Sequence, residues 1–238
     1  MSDQSAGIDL LLHTGPCFVI NKPGGILTQA PPGIDSLEQR LKRYIQQVEN
    51  KPGNVYVGVP HRLDRPVSGV MVFARHVRAT RRLSAQFQNR TVSKKYWAVV
   101  EGTPSAAVGS WTDHMRKIPD EAKSEIVDAR SPGAQVASLE YRILQSTGEL
   151  SLLEIELGTG RTHQIRLQAA ARGHSIAGDR LYGSKFDFGP QSFDQRKRWI
   201  ALMARQLTFE HPMTSEVVDV TAPIHYHWLD LDGFEFDL

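Results

Sequence analysis

His61-Arg62-Leu63-Asp64-Arg65-Pro66-Val67-Ser68-Gly69-Val70-Met71-Val72-Phe73-Ala74 joins two kinds of chain in one stretch. Its second half, Val70–Ala74, is a continuous apolar run and reads as a buried strand. Its first half is polar and is bracketed by Pro60 and Pro66, which places it on a loop between strands. Loops carried by a rigid scaffold are where catalytic groups concentrate. One acid, Asp64, stands there among basic neighbours. An opposite charge at close range favours the ionised carboxylate. An ionised Asp that meets a substrate acts as a nucleophile or a base; the plainer role is a loop ion pair with Arg62 or Arg65.

Outward from this stretch, Cys17–Ile20 reads as a short buried strand ending at the Pro23-Gly24-Gly25 turn. Asp35 or Ser36 caps a helix whose Leu37, Leu41, Tyr44, Ile45 and Val48 share one face. Val55–Val59 reads as a strand. Val77 to Gln88 reads as a basic helix with Arg78, Arg81 and Arg82. Lys94–Glu101 is a strand with Tyr96, Ala98 and Val100 on one face. Thr103–Gly133, rich in Pro, Ser and Gly, reads as an irregular loop or insertion. Val136–Leu144 and Leu150–Leu157 form a hairpin, Gln164–Ala171 a short helix closed by Gly173, and Trp199–Leu202, Gln206–Glu210 and Val217–Thr221 further strands. Residues 1–16 read as a partly ordered lead-in. Many strands, few helices and several hairpins imply a mixed α+β fold with largely antiparallel pairing.

The chain has 238 residues, 40% of them hydrophobic and 23% charged, as in ordinary globular proteins. No apolar run approaches the ~20 residues of a membrane helix, and the first residues lack the pattern of a secretory signal. A single cysteine, Cys17, excludes an internal disulfide and points to a reducing cytoplasm. It also excludes a multi-cysteine metal site, and His211, His225 and His227 lack a nearby carboxylate set, so no metal is expected. The net charge is only +2, but nine Lys/Arg stand against one acid between His61 and Lys95. Such polarity suits a partner rich in phosphates, although a solvated helix face accounts for it equally well.

A second polar block, Gly160-Arg161-Thr162-His163-Gln164-Ile165-Arg166, follows far along the chain, with Gly173, Ile176, Gly178-Asp179 and Tyr182-Gly183 after it. Asn21-Lys22-Pro23-Gly24-Gly25, Lys94–Gly102 and Ala204–Pro212 flank the two. These five ordered blocks together resemble the RluA-type RNA pseudouridine synthases from about residue 17 to about residue 223. The chain departs from the family pattern at Val67, Gln168 and Ser175, where Thr, His and Pro are usual. The resemblance implies one mixed α/β domain over 17–238, built on a long, largely antiparallel sheet with an active-site cleft. It also implies an isomerase acting on uridines of structured RNA, ribosomal or transfer, as a monomer without cofactor or metal.

The resemblance further assigns parts to residues. Asp64 is the catalytic carboxylate, Arg161 its cationic partner through a planar fork suited to carboxylates, and Tyr96 the residue set against the uracil ring. Without the resemblance, Arg161 is equally a phosphate contact and Tyr96 an ordinary core tyrosine. Arg62 is the candidate to fill the gap left by an extruded base, and Leu202 an apolar wall of the uracil pocket. Lys22, Arg166, Lys94 and Lys95 are candidate phosphate contacts. Two other functions fit parts of the pattern. A glycoside or nucleoside hydrolase needs a second acid, for which Asp179 is the tempting residue. A non-catalytic RNA-binding module would need no Asp64.

Overall fold

The computed structural model describes residues 7–236, and these contain ten strands and four α-helices. Antiparallel pairing predominates and parallel pairing also occurs, which makes the mixed α+β fold expected from the hairpins. The chain divides into two compact units.

The first unit runs to Lys94 and takes in Asp194–Lys197 and Met203–Pro223. Strands β1 (Leu10–Thr14) and β2 (Cys17–Lys22) form a hairpin, so part of the expected lead-in is ordered strand; residues 1–6 of it lie outside the described residues. Helix α1 (Leu37–Val48) starts where Ser36 accepts a hydrogen bond from the Gln39 N–H. It buries Leu37, Leu41, Tyr44 and Ile45, whereas Val48, at the last turn, is exposed. Val55–Val59 is not a strand, since its one ladder contact is the isolated bridge Gly58↔Ala74. Strand β3 (Ser68–Ala74) is buried at every residue, as its apolar run requires, and pairs antiparallel with β2 from Cys17↔Ala74 to Lys22↔Gly69. Helix α2 (Val77–Asn89) follows, N-capped by the His76 ring and closed by Arg90 in the left-handed conformation. Cys17 is fully buried at the head of β2, and burial pushes its thiol up to about 11, as befits a packing residue.

The second unit holds Lys95–Phe193, Arg198–Leu202 and Ile224 onward. Its strands are β4 (Ser93–Glu101), from Lys95 on, β5 (Val108–Lys117), β6 (Ser124–Ile126), β7 (Gln135–Ser146) and β8 (Leu150–Leu157). They pair antiparallel in the order β4-β8-β7-β5-β6. The expected irregular stretch 103–133 therefore contains two strands. β5 turns Trp111 and Met115 into the core and sets Asp113 between them, where Arg172 and Gln168 hold its carboxylate. Helix α3 (Gln164–Ala170) packs on β5 and β6, and Gly173 beyond it is left-handed, as expected of a helix end. Helix α4 (Tyr226–Leu229) follows Ile224 in this unit.

The first unit is completed by β9 (Leu202–Glu210), from Met203 on, and β10 (Val217–Thr221), which pairs antiparallel with it. β9 lies parallel to β3 through Ser68↔Met203 and Gly69↔Ala204. Of the expected strand Trp199–Leu202, the first three residues stay outside β9. A Cβ on Gly69, whose φ is +114°, would stand 2.2 Å from the Ala204 carbonyl oxygen. The Ser-Gly after the polar loop is thus what lets the two strands close up.

Candidate active site

In the first unit, the loop bearing Asp64 is fixed at nearly every second residue. The His61 ring accepts the Val72 N–H at Nε2 (3.1 Å) and stacks on Phe87 of α2 with ring centres 4.3 Å apart. That bond needs a neutral ring with its proton on Nδ1. Burial, and secondarily the charge of Lys94, push His61 down to about 3, in keeping with the neutral form. Leu63 is buried, and the Thr28 hydroxyl bonds both its backbone groups, accepting from the N–H (3.2 Å) and donating to the carbonyl (2.9 Å). The Asp64 carbonyl accepts the Val67 N–H, closing a turn. The Arg65 carbonyl accepts the Gly25 N–H, and the Arg65 Nε donates back to the Gly25 carbonyl.

Lys22 completes this clamp. It is fully buried and donates to the carbonyls of Pro23 (2.9 Å), Arg65 (3.2 Å) and Val67 (2.7 Å). Three acceptors match the three donors of an ammonium. Burial pushes Lys22 down to about 7; the charge of Asp64 opposes this shift and that of Arg65 adds to it. A lysine with no exposed surface does not meet an RNA phosphate, so the reading of Lys22 as a phosphate contact gives way to one as an internal brace. Asp64 itself is half-buried and Arg62 is exposed. Lys94 is half-buried, and burial, followed by the charge of Arg90, lowers its pKa.

In the second unit, the block at 160–166 sits before and within α3. Gln164 organises it: its Oε1 accepts from the Thr159 hydroxyl (2.7 Å) and the Arg161 N–H (3.0 Å), and its Nε2 donates to the Ser138 carbonyl. The Arg161 Nε donates to the Val136 carbonyl at 2.9 Å. His163 is left-handed and its Nδ1 lies 2.9 Å from the Tyr182 hydroxyl, which also accepts the Ser124 N–H. Arg166 grips Asp179 with two parallel bonds, Nε to Oδ2 at 2.6 Å and Nη2 to Oδ1 at 2.8 Å, with both side chains at most 5% exposed. Its guanidinium also stands 5.2 Å from the centre of the Tyr182 ring. Arg166, like Lys22, is therefore buried where sequence suggests a phosphate contact. Asp179, 1% exposed and held by Arg166, is poorly suited to be the second carboxylate of a hydrolase.

Tyr96 is 8% exposed on β4 opposite Ile155, and Leu202, which opens β9, is 3% exposed. Lys95 pairs across from Glu156 and is half-buried. Thr28, Tyr182 and Gln164 also shape the two loops, yet sequence reasoning gives none of these three a role of its own. Their only local signal is a polar side chain that the fold buries.

Known proteins bear on the same residues. The family model for RNA pseudouridylate synthase matches residues 16–171, which include the Asp64 loop and the 160–166 block. An uncharacterized RNA pseudouridine synthase of Synechocystis sp. is 32% identical over 94% of this chain and 68% of its own length. The ribosomal large subunit pseudouridine synthase D of Xylella fastidiosa is 34% identical over 93% of this chain and 67% of its own. Among solved structures, human RNA pseudouridylate synthase domain containing 4 superposes with a TM-score of 0.75 at 25% identity, covering 92% of this chain and 90% of that one. With the family model covering well over half of it, and the Asp64 loop inside that match, the chain belongs to the RNA pseudouridine synthases.

Proposed function

We propose that this pseudouridine synthase isomerises specific uridines of structured RNA, with large-subunit ribosomal RNA as the first class to test, and that Asp64 carries the chemistry. The reaction breaks the N1–C1′ bond, turns the uracil and joins C5 to C1′. The proton leaving C5 is matched by one gained at N1, so nothing is oxidised and no energy donor is consumed. A carboxylate acting as nucleophile or base suffices for this.

The observation that carries the reading is the bracing of the Asp64 loop. Backbone or ring atoms of His61, Leu63, Arg65 and Val67 are each held by Val72, Thr28, Gly25 or Lys22. A reacting group works best when its support is rigid, because a misplacement of ~1 Å costs on the order of 100-fold in rate. Tyr96 and Arg161 enter the same proposal through the family likeness, as the residue facing the uracil and the partner of the carboxylate. Exposed Arg62, next to Asp64, has the planar group needed to stack in place of an extruded base. The ribosomal target class rests on the names of relatives such as the Xylella fastidiosa enzyme.

The test is the product. The purified protein is incubated with transcripts of large-subunit ribosomal RNA and of transfer RNA, and the RNA is digested to nucleosides. Pseudouridine in the ribosomal transcript supports the proposal, and pseudouridine in the transfer RNA alone moves the target class. Release of free uracil from either would show a hydrolase instead.

A further inference from the structure

Helix α2 carries three arginines and no acid, and the structure separates their roles. Ala79 and Leu83 are buried, and at 3.6 residues per turn Arg78 and Arg81 lie on the outer, exposed arc while Arg82 flanks the buried face. Arg82 is committed to the fold, since its Nη1 donates to the Pro212 carbonyl at 2.6 Å. Beside it the Gln86 amide bonds the Glu210 backbone in both directions, at 2.8 and 2.9 Å. Together these fasten the helix to the end of β9.

Arg78 and Arg81 have no such employment, and neither has Arg90, exposed at the left-handed cap. Among the described residues none of the three is in an ion pair, although Arg75 nearby is paired with Glu49. Exposed surface arginines in this unit do find carboxylates where these exist, as Arg43 does with Asp35 at 3.2 Å. The helix is also joined to the Asp64 loop. Phe87, in its last turn, is the ring on which His61 stacks. Arg90 stands at the cap of the helix; its charge acts on Lys94, and that of Lys94 on the neutral His61 ring.

We propose that the outer arc of α2 and its cap, through Arg78, Arg81 and Arg90, form a track for the phosphates of the RNA flanking the target uridine, with Lys94 at its inner end. This rests on the RNA-modifying reading above and adds where the substrate backbone runs. From Arg78 to Arg90 the helix rises about 18 Å at ~1.5 Å per residue. That length spans several nucleotides of one strand, enough for three separate phosphate contacts. The unpaired guanidiniums, the lack of acids on the helix and the stack joining it to the Asp64 loop all favour RNA backbone over a second protein.

The experiment compares the wild type with the triple variant Arg78→Gln, Arg81→Gln, Arg90→Gln and with the control Arg43→Gln. Each is titrated with a large-subunit ribosomal RNA transcript at several potassium chloride concentrations. Each is also assayed for pseudouridine in a single turnover at saturating RNA, after thermal melting confirms the fold. The expected result is binding weaker by on the order of ten-fold or more at physiological salt. The slope of log K against log salt should be smaller by about two to three, near one per phosphate lost. The rate at saturation should be unchanged, because these side chains act alike on ground and transition states. An unchanged affinity and slope in the triple variant overturns the inference, as does an equal loss in the control, which would reflect net charge alone. If the wild type binds but makes no pseudouridine, the proposed function fails on this RNA, and the slopes still decide the role of α2.

Discussion

The loop around Asp64 and the block around Arg166 are both polar segments set into apolar units, but only the second adds bonds between side chains to its main-chain bracing. In the first, side chains from elsewhere reach main-chain atoms: the Thr28 hydroxyl to Leu63, the Lys22 ammonium to Arg65 and Val67, the His61 ring to Val72. In the second, side chains grip each other: Arg166 and Asp179, Thr159 and Gln164, His163 and Tyr182. Main-chain bracing fixes the path of a loop while leaving its side chains open to change. Side-chain bracing ties residues to one another, and a single loss there leaves a buried charge or dipole unsatisfied.

The largest effect should therefore come from the second block. Asp179→Leu removes the carboxylate held between Arg166 and the core and should cost roughly 3–5 kcal/mol, the range for breaking one side of a buried pair. Urea denaturation measures it. The double variant Arg166→Met, Asp179→Leu should recover much of the loss, because no charge is then stranded. A loss below ~1 kcal/mol for Asp179→Leu would mean that water, not Asp179, satisfies the guanidinium.

Lys22→Met is the matching change in the Asp64 loop. It strips one donor from three carbonyls and should cost about 2 kcal/mol, since a buried acceptor left unmade is expensive and the relief of a buried charge offsets part of that. A braced loop that shifts should also lose turnover, on the order of 100-fold, while KM for RNA stays within a few-fold. Equal losses in both constants would show that Lys22 supports the fold at large and not the position of Asp64.

His61 gives the smallest and most specific effect. Its folded pKa, about 3, lies below the ~6.5 of an unfolded histidine, so between these values the unfolded chain binds the extra proton. Its contribution to stability is thus complete above pH ~6.5 and is lost as pH falls toward 3. Gln in its place keeps an acceptor for the Val72 N–H but does not titrate, so His61→Gln should flatten the fall in melting temperature between pH ~6.5 and ~4. Parallel melting curves for the two proteins would assign the acid sensitivity to other groups.

These contrasts also explain what was legible in the sequence. β3 is legible because Val70–Ala74 needs no partner to be read as buried, and α1 because Ser36 and the spacing of Leu37, Leu41, Tyr44 and Ile45 are local signals. β5 is not, because Asp113 interrupts its apolar alternation and the residues that hold it, Gln168 and Arg172, lie far along the chain. β1 is short and only partly buried, and its leucines look like a loose lead-in until β2 pairs with them. Within the candidate site, the motif marks Asp64 and Arg161 by residue type. It misplaces Lys22 and Arg166, since a basic residue in a Gly-rich or polar stretch looks exposed. Only the register Lys22↔Gly69 and the Arg166–Asp179 pair bury them. Long-range pairing, not local pattern, decides whether a charge faces solvent or core.

Under the proposed function the bracing of the loop serves one carboxylate. Its most direct test is Asp64→Asn, which keeps the shape and removes the charge. RNA binding and pseudouridine formation are measured on the same transcript, with melting to confirm that the fold survives. The expected result is affinity within a few-fold of wild type and no detectable pseudouridine in a single turnover. Pseudouridine formed at a rate within a few-fold of wild type would contradict it.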